Sequence, residues 1–246
     1  MAEVDGKVAV ITGAGSGLGK AAAGLFAVRG AKLVLADITG AEEDVAASSG
    51  GEAISVRCDV RDEAQVEAML RAAVDRFGRV DAVLNVAGVS SFARIGDLEM
   101  SEYDRILDID LRGVVHGVKH AVRVMKAAGG GVILNFASVA AFGAKPELGI
   151  YSAAKAGILA VTRAAAVEYA KWGVRTNAIA PGLFMTEAAA ALPPDMVDQV
   201  TANIPMNRGG NPSECAELAA FLVSDRARFI NGAVIVIDGG QTAQLP

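Results

Sequence analysis

Cysteine and histidine are scarce in this chain of 246 residues, which has two of each. The cysteines, Cys58 and Cys215, lie in apolar segments, which favours reduced core thiols over a disulfide or a metal site. The histidines, His116 and His120, are one helical turn apart, but no third ligand lies nearby in the sequence. A surface or subunit contact is therefore the favoured interpretation of this pair, and we expect no metal centre.

Basic charge is neither abundant nor concentrated. The formal net charge is −5 and no cluster of lysine or arginine stands out, which argues against a nucleic-acid or anionic-membrane surface. The first six residues, MAEVDG, lack the features of a signal peptide. No uninterrupted apolar run approaches the roughly 18 residues of a membrane span. We expect a cytoplasmic protein that binds neither nucleic acid nor membrane.

Short β-rich runs alternate with segments of helical periodicity along the whole chain. Apolar residues make up 52% of it, with a mean hydropathy of +0.38, which is sufficient for a large core. The predicted strands are Lys7–Thr12, Lys32–Asp37, Ala53–Cys58, Val80–Asn85, Gly131–Phe136, Val174–Ile179 and Ala233–Asp238. The predicted helices include Leu18–Arg29, Asp62–Phe77, Ser101–Met125, Tyr151–Trp172 and Pro212–Val223.

This alternation predicts an α/β fold, namely a doubly wound (Rossmann) sheet of seven mostly parallel strands with helices on both faces. No Pro/Gly/Ser-rich linker divides the chain, so we expect a single domain over residues 1–246. The segment 182–211 has no clear strand partner and follows a predicted strand end, where insertions often form substrate loops.

The first predicted strand runs directly into a glycine-rich turn, TGAGSGLG, at Thr12–Gly19. Glycines at 13, 15, 17 and 19 would let a pyrophosphate approach backbone N–H groups at a helix N-terminus. The spacing differs from the strict G-x-G-x-x-G fingerprint, and an ordinary glycine-rich turn is the alternative. A Walker A loop is excluded because no Gly-Lys-Ser/Thr follows.

Asp37 ends the second predicted strand, 18 residues after Gly19. An acidic side chain there can accept hydrogen bonds from both adenosine ribose hydroxyls and would repel a 2′-phosphate. No basic residue follows directly, which favours NAD over NADP; a helix-capping aspartate is the alternative. Asp59 and Val60, at the end of the third strand, could border the adenine, although Asp59 could equally cap a turn.

Three polar side chains follow the fifth predicted strand. Ser138 lies just beyond its end, and Tyr151 and Lys155 are four residues apart at the start of a long helix, so they share one face. A hydroxyl, a phenol and an ammonium gathered there could perform proton transfer. The Tyr–Lys spacing alone proves little, because it also arises by chance.

Taken together in order, these motifs resemble the short-chain dehydrogenases/reductases of about 250 residues, over essentially the full chain. The matching stretches are TGAGSGLG, Asp37, Asn85–Gly88, Ser138, Tyr151–Lys155, Asn177–Gly182, Thr186 and Asp238–Gly240. The resemblance implies hydride transfer between a nicotinamide ring and a secondary alcohol or ketone. Tyr151 would be the general acid/base, Ser138 would bind the substrate oxygen, and Lys155 would bind the nicotinamide ribose and favour tyrosinate.

The resemblance also implies a set of NAD-binding positions. They are Gly13, Ser16, Gly17, Leu18, Gly19, Asp37, Asp59, Val60, Asn85, Ala87, Gly88, Tyr151, Lys155, Pro181, Gly182, Phe184 and Thr186. Of these, Pro181 and Gly182 would form the floor beneath the nicotinamide. Thr186 would meet its carboxamide, with a helix N-cap as the alternative role.

One position departs from the family pattern. The family usually completes its catalytic set with an asparagine, and this chain has Asp110 in that place, within DIDLRGV. The added negative charge would keep Lys155 protonated but oppose the tyrosinate. We therefore expect activity to survive with a working pH that is shifted upward.

Substrate and assembly are less defined by the sequence. Phe184, Met185, Leu192, Met196 and Met206 predict a largely apolar substrate pocket. A 3-oxoacyl-thioester reductase is an alternative function, and a catalytically impaired NAD-binding regulator is another. The family resemblance implies a homotetramer formed through the two long helices and the last strand, with a dimer as the alternative.

Overall fold

The computed structural model describes residues 3–244 apart from 91, 144 and 192. The ends of the predicted domain, residues 1–2 and 245–246, therefore lie outside the described residues. The strands are β1 Val8–Thr12, β2 Lys32–Asp37, β3 Ala53–Arg57, β4 Ala82–Asn85, β5 Gly131–Phe136, β6 Val174–Pro181 and β7 Val234–Ile237. The helices are α1 Gly17–Val28, α2 Ala41–Ser48, α3 Glu63–Phe77, α4 Met100–Ile106, α5 Gly113–Ala128, α6 Gly149–Tyr169, α7 Glu187–Ala190, α8 Pro194–Ala202 and α9 Pro212–Val223.

The seven strands form one parallel sheet in the order β3-β2-β1-β4-β5-β6-β7. The prediction of a doubly wound sheet is thus confirmed. The order reverses between β1 and β4, and in such sheets ligands bind at the carboxyl ends of the strands beside this switch point. Thr12, at the end of β1, ties this strand to the segment after β4. Its hydroxyl accepts hydrogen bonds from the backbone N–H groups of Val86 (3.1 Å) and Ala87 (3.2 Å).

The sheet is buried on both faces. Along β1, Ala9 and Ile11 face one apolar cluster, which includes α1 and α9, while Val8 and Val10 face the other, which includes α3 and α5. Burying an aliphatic side chain of this size stabilises the fold by about 1.5–3 kcal/mol. This two-sided burial explains why the strands are continuous apolar runs rather than alternating ones.

The long predicted helix Ser101–Met125 is observed as α4 and α5 joined by a π-helical turn, Leu107–Arg112. Helix α2 was not predicted, because its sequence AEEDVAAS is short and polar. The segment 182–211, predicted as a loop, contains α7 and α8; the second begins with Pro194 at its first position, where proline's missing N–H costs nothing.

Helix α6 and the turn after it, Gly149–Trp172, have the length and the mean hydropathy (1.2) of a membrane span. In the structure α6 packs against β6 and carries the buried side chains of Lys155 and Thr162 on its inner face. Its apolar character is therefore that of a helix lying against a sheet. Cys58 and Cys215 are free and buried, as predicted, and burial raises the pKa of each thiol to about 12.

Candidate active site

A cleft of about 760 Å³ lies at the carboxyl ends of the strands. It collects most of the predicted site residues although they are scattered through the chain. Those that line it are Gly13, Ser16, Gly17, Leu18, Gly19, Asp37, Asp59, Val60, Ala87, Gly88, Ser138, Tyr151, Lys155, Pro181, Gly182, Phe184 and Thr186. Asp110 and Asn85 are buried behind the wall instead.

The glycine turn, Thr12–Gly19, is shaped by contacts that exclude side chains. Gly13 has φ +66°, and a Cβ there would lie 2.9 Å from the Cα and N of Ala87. A Cβ on Gly19 would lie 2.1 Å from the Gly13 carbonyl oxygen, and Gly17 has φ +53°. The turn therefore presents bare backbone to the cleft at the start of α1, as a diphosphate requires.

The N-terminus of α1 already holds an anion. The Gly17 N–H donates a hydrogen bond of 3.0 Å to the Glu187 carboxylate, which reaches across from α7. A carboxylate can stand in for a phosphate oxygen at this position, because both are attracted to free N–H groups and to the positive end of the helix dipole. The glycine turn thus fits the diphosphate of a dinucleotide.

Asp37 lies beside this turn at the end of β2. One of its oxygens accepts the Gly15 N–H at 3.0 Å, and the other accepts the N–H (3.0 Å) and the hydroxyl (2.9 Å) of Thr39. The carboxylate is held in place, partly exposed and lining the cleft. Its binding of ribose hydroxyls stays a prediction from the sequence.

Asp59 and Val60 line the cleft beyond Asp37. Both carboxylate oxygens of Asp59 accept hydrogen bonds from Arg61, at 2.6 to 3.0 Å, and these bonds lower the pKa of that carboxyl. Asp59 therefore stabilises a local turn, which was the alternative role considered for it, and it also borders the cleft. The backbone carbonyl of Val60 contacts His116 Nδ1 at 3.0 Å.

Asn85 does not line the cleft. Its amide donates to Asn135 at 2.8 Å, and Asn135 in turn donates to the Thr162 hydroxyl at 2.9 Å. All three side chains are buried, so this chain of hydrogen bonds ties β4, β5 and α6 together beneath the cleft. Its contribution is to fix the wall that carries Ala87 and Gly88.

The other end of the cleft holds the predicted catalytic residues Ser138, Tyr151 and Lys155, with the predicted Asp110 buried behind them. The Ser138 hydroxyl oxygen accepts the Ala140 N–H at 3.1 Å, which fixes it at the start of a short 3₁₀ turn after β5. Lys155 Nζ lies 5.4 Å from the centroid of the Tyr151 ring, consistent with one helical face. Ser138 and Lys155 are nearly fully buried, whereas Tyr151 is half-buried and open to the cleft.

Lys155 and Asp110 form a buried ion pair. Nζ lies 2.9 Å from Asp110 Oδ2 and donates to the Phe136 carbonyl oxygen at 3.3 Å, while Asp110 Oδ1 accepts the Val89 N–H at 2.8 Å. Asp110 is 0% and Lys155 4% exposed. Gly88 allows the loop to pack over this pair, because a Cβ there would lie 3.1 Å from Nζ.

Asp110 is carried by the π-helical turn Leu107–Arg112 between α4 and α5. Such turns add a residue to the helix and are common at functional sites. Arg105, five residues earlier, lines the cleft and donates to the Ser90 carbonyl oxygen at 3.2 Å, one residue from the Val89 N–H that Asp110 binds. Arg105 and Asp110 therefore face the same loop.

The segment after β6 closes the opposite side of the cleft. A Cβ on Gly182 would lie 2.8 Å from the Cβ of Asp238, so the chain passes close to the final strand here. The Thr186 hydroxyl oxygen accepts the Ala189 N–H at 3.3 Å, so Thr186 lines the cleft and also caps α7.

The predicted apolar residues are divided by the structure. Phe184 lines the main cleft, whereas Met206 lines a smaller neighbouring hollow and Met185 lies outside the main lining. Leu192 lies outside the described residues, and so does the side chain of Met196.

Sequence reasoning missed Arg105 and Phe92, which line the cleft, and Glu187, which binds the glycine turn, and it misjudged His120. Phe92 carries no motif, and the position of Arg105 depends on the π turn. His120 is 4% exposed, so a surface position was wrong: its ring lies between α3 and α5, with Nε2 3.0 Å from Glu63 Oε1. Hydrogen bonds from Lys119 and from His120 lower the pKa of the Glu63 carboxyl to about 2.

A doubly wound parallel sheet with a glycine turn, a strand-end acid and a Ser/Tyr/Lys group at one cleft defines a dinucleotide-dependent oxidoreductase. Comparison with known proteins identifies the family within this class. The family model described as enoyl-(acyl carrier protein) reductase matches residues 13–242. The chain belongs to the short-chain dehydrogenase/reductase family.

Curated relatives align with nearly the whole chain. Cis-4-hydroxycyclohexanecarboxylate dehydrogenase of Sinomonas cyclohexanicum is 43% identical over 96% of this chain and 97% of its own length. Meso-2,3-butanediol dehydrogenase of Serratia marcescens is 40% identical over 97% and 96%. The crystal structure of levodione reductase superimposes with a TM-score of 0.94 at 35% identity, covering 98% of this chain and 100% of that one.

These matches confirm the prediction of an enzyme. The protein is an oxidoreductase that transfers a hydride between a nicotinamide cofactor and an alcohol or ketone group.

Proposed function

We propose that the protein is an NAD-dependent dehydrogenase/reductase of an uncharged, largely apolar secondary alcohol or ketone. One observation carries the proposal: a single cleft has Asp37 and the glycine turn at one end and Ser138, Tyr151 and Lys155 at the other. The first group matches the adenosine and diphosphate of a dinucleotide, and the second provides a proton donor or acceptor where the substrate oxygen would lie.

In this proposal Tyr151 exchanges the proton with the substrate oxygen, and Ser138 donates a hydrogen bond to the same oxygen. Bound nicotinamide supplies or accepts the hydride. Lys155 would hold the nicotinamide ribose and places a positive charge beside the phenol, with Nζ 5.4 Å from the centroid of the Tyr151 ring. Asp110 holds that ammonium in place through the 2.9 Å ion pair.

Preference for NAD is supported by the charge at the end of β2. A 2′-phosphate on the ribose would approach the Asp37 carboxylate, and the two negative charges would repel each other. Arg57, which lies opposite Asp37 in the register of the neighbouring strand, is engaged by the Ile38 carbonyl oxygen (2.7 Å) and by Glu42 (3.4 Å). Initial rates with NAD and NADP in parallel test this; equal kcat/KM for the two would contradict it.

An uncharged substrate is supported by the pairing of every cation among the described residues that line the cleft. Arg61 is paired with Asp59, Arg105 with both oxygens of Glu102 (2.6 and 2.7 Å), and Lys155 with Asp110. A substrate carboxylate would have to displace one of these partners. Neutral cyclic or vicinal hydroxyl compounds fit this cleft better.

A matched pair of substrates tests the charge preference. Cis-4-methylcyclohexanol and cis-4-hydroxycyclohexanecarboxylate share the reacting group and differ in the charged substituent. We expect kcat/KM to be higher for the neutral compound. A higher value for the carboxylate would indicate that Arg105 leaves Glu102 to bind it, and Arg105→Gln should then abolish the difference.

The alternative of an NAD-binding regulator without catalysis rests only on the aspartate at position 110, and the similarity to enzymes over nearly the whole chain opposes it. Calorimetric NADH binding alongside NADH oxidation with a panel of ketones and diketones separates the two. Binding without turnover of any compound would favour the regulator, while turnover of a ketone would support the enzyme. Turnover of a 3-oxoacyl thioester above all others would instead favour the reductase of acyl chains.

We also propose a homotetramer in the cytoplasm. Helix α6 presents a row of small exposed side chains, Ala153, Ala156, Ala160 and Ala164, which allows another helix to approach closely. Val167, further along α6, is 82% exposed, and Val236 on β7, the last strand in the sheet order, is 38% exposed. Light scattering coupled to size exclusion measures the assembly directly; a monomer would contradict the proposal.

A further inference from the structure

The contact between α7 and the glycine turn joins two segments that a dinucleotide must also occupy. Glu187 Oε2 accepts the Gly17 N–H at 3.0 Å, and Glu187 Oε1 lies 3.5 Å from Lys20 Nζ. Gly17 is the first residue of α1, and the Ser16 side chain makes no capping hydrogen bond to that helix. The anion at the N-terminus of α1 is therefore the carboxylate of a residue 170 positions away in the sequence.

The position of Glu187 follows from how its segment is anchored. Phe184 is buried, and the backbone N–H of Met185 donates to the Gly210 carbonyl oxygen at 2.9 Å, while the Gly210 N–H donates to Leu183 at 2.9 Å. These bonds fix the chain up to residue 185. Beyond them α7 is a helix of only four residues, and the side chain of Glu187 is 61% exposed.

The carboxylate is stabilised in its charged form. The N–H at the start of its own helix and the Gly17 N–H lower the pKa of the Glu187 carboxyl, and Lys20 adds to this effect. A full negative charge is therefore present at the glycine turn near neutral pH. Lys20 Nζ donates a long hydrogen bond of 3.5 Å to Glu187 Oε1, but at 53% exposure its charge is screened by solvent and offsets the carboxylate only in part.

A diphosphate in this turn would use the same N–H groups and bring further negative charge to them. One amide proton cannot serve both anions at full strength, and like charges at contact distance repel. We propose that Glu187 is an internal competitor for the diphosphate, so that it weakens dinucleotide binding and must leave Gly17 when a dinucleotide enters. This inference rests on the proposed function, since it takes the cleft to be the NAD site.

Calorimetric titration with ADP-ribose, which carries the diphosphate without the nicotinamide, tests the inference independently of turnover. We expect Glu187→Gln to bind ADP-ribose roughly fivefold to twentyfold more tightly than the wild type. Glu67→Gln, which removes a carboxylate of similar exposure from α3 (51% against 61% for Glu187), is the matched control and should stay within about twofold of the wild type. Adenosine, which lacks the diphosphate, should bind wild type and Glu187→Gln equally.

Equal or weaker ADP-ribose binding by Glu187→Gln would overturn the inference and leave the proposed function standing, provided that the wild type binds NAD. If neither protein bound NAD or ADP-ribose, both would be overturned. A second readout uses inorganic pyrophosphate alone, which should raise the melting temperature of Glu187→Gln more than that of the wild type. Similar melting temperatures of the two proteins without ligand would exclude misfolding as the cause.

Discussion

The two ends of the cleft are built from different parts of the polypeptide. At the glycine turn the chain presents backbone N–H groups, kept open by glycines such as Gly13 and Gly17 with positive φ. At the catalytic end it presents side chains, and Lys155 depends on a buried partner from another helix. A backbone site is specified by a few residues that are close in sequence, whereas the side-chain site depends on how distant helices pack.

The largest expected effect is that of Tyr151→Phe, which should lower catalysis strongly while leaving cofactor binding almost unchanged. Tyr151→Phe keeps the ring and removes the hydroxyl that is proposed to exchange the proton. We expect kcat/KM to fall by at least about a thousandfold, the upper range for general acid/base catalysis, with NADH affinity little changed. Steady-state kinetics and calorimetry measure both quantities.

Tyr169→Phe is the control for this change, since Tyr169 packs against Trp172 at the far end of α6. It should retain near wild-type kcat/KM. Substantial activity in Tyr151→Phe would contradict the proposed role of the tyrosine.

Breaking the buried ion pair should destabilise the whole fold. Asp110→Ala leaves the Lys155 ammonium buried without its partner and the Val89 N–H without an acceptor. We expect the free energy of unfolding to fall by about 3–5 kcal/mol, as is typical when one partner of a buried pair is removed. Urea titration measures it.

Glu67→Ala removes the partner of Arg71 in an exposed pair on α3 and should cost less than about 1 kcal/mol. If Asp110→Ala and Glu67→Ala lowered the free energy of unfolding by similar amounts, the buried pair would contribute no more to stability than the exposed one.

At the other end, Asp37→Asn should weaken NAD use without affecting the fold strongly. The amide nearly preserves the shape of the side chain but loses the charge that holds the Gly15 N–H and would hold the ribose hydroxyls. We expect kcat/KM for NAD to fall by about tenfold to a hundredfold, and the ratio of NADP to NAD activity to rise.

Asp59→Asn is the matched comparison, because the Asp59 carboxylate is already engaged by Arg61. Its effect on NAD use should be smaller. An equal effect of the two substitutions would assign ribose recognition to both aspartates.

The smallest expected effect concerns pH. Asp110 places a buried negative charge behind the site of the proposed proton exchange, 2.9 Å from Lys155 Nζ, and we expect alcohol oxidation to need a higher pH when that charge is present. Asp110→Asn should therefore move the acid limb of the kcat/KM profile for alcohol oxidation toward lower pH. Superimposable pH–rate profiles of the two proteins would contradict this.

Much of the architecture was predictable from periodicity. The runs Lys32–Asp37 and Gly131–Phe136 were placed at their exact bounds, because parallel strands covered on both faces must be continuously apolar. Helix α2 was not predicted because its polar sequence contains no clear apolar stripe. Its position depends on packing against β2 and β3.

The site was predictable where local chain geometry alone creates it. Tyr151 and Lys155 share a face because they are four apart on one helix, and the glycine turn lies where β1 meets α1. Arg105 was not predictable, since residues five apart on a regular α-helix point about 140° away from each other. The π turn changes this angle, and no sequence pattern indicated it.

The alternation of strands and helices, the glycine turn, the strand-end position of Asp37 and the grouping of Ser138, Tyr151 and Lys155 were predictable, since they follow from local residue patterns along the chain. The pairing of Asp110 with Lys155 and the contact of Glu187 with Gly17 became visible only in the folded chain. Each of these contacts joins elements that are distant in the chain, and their meeting depends on how the helices and the segment after β6 pack around the sheet.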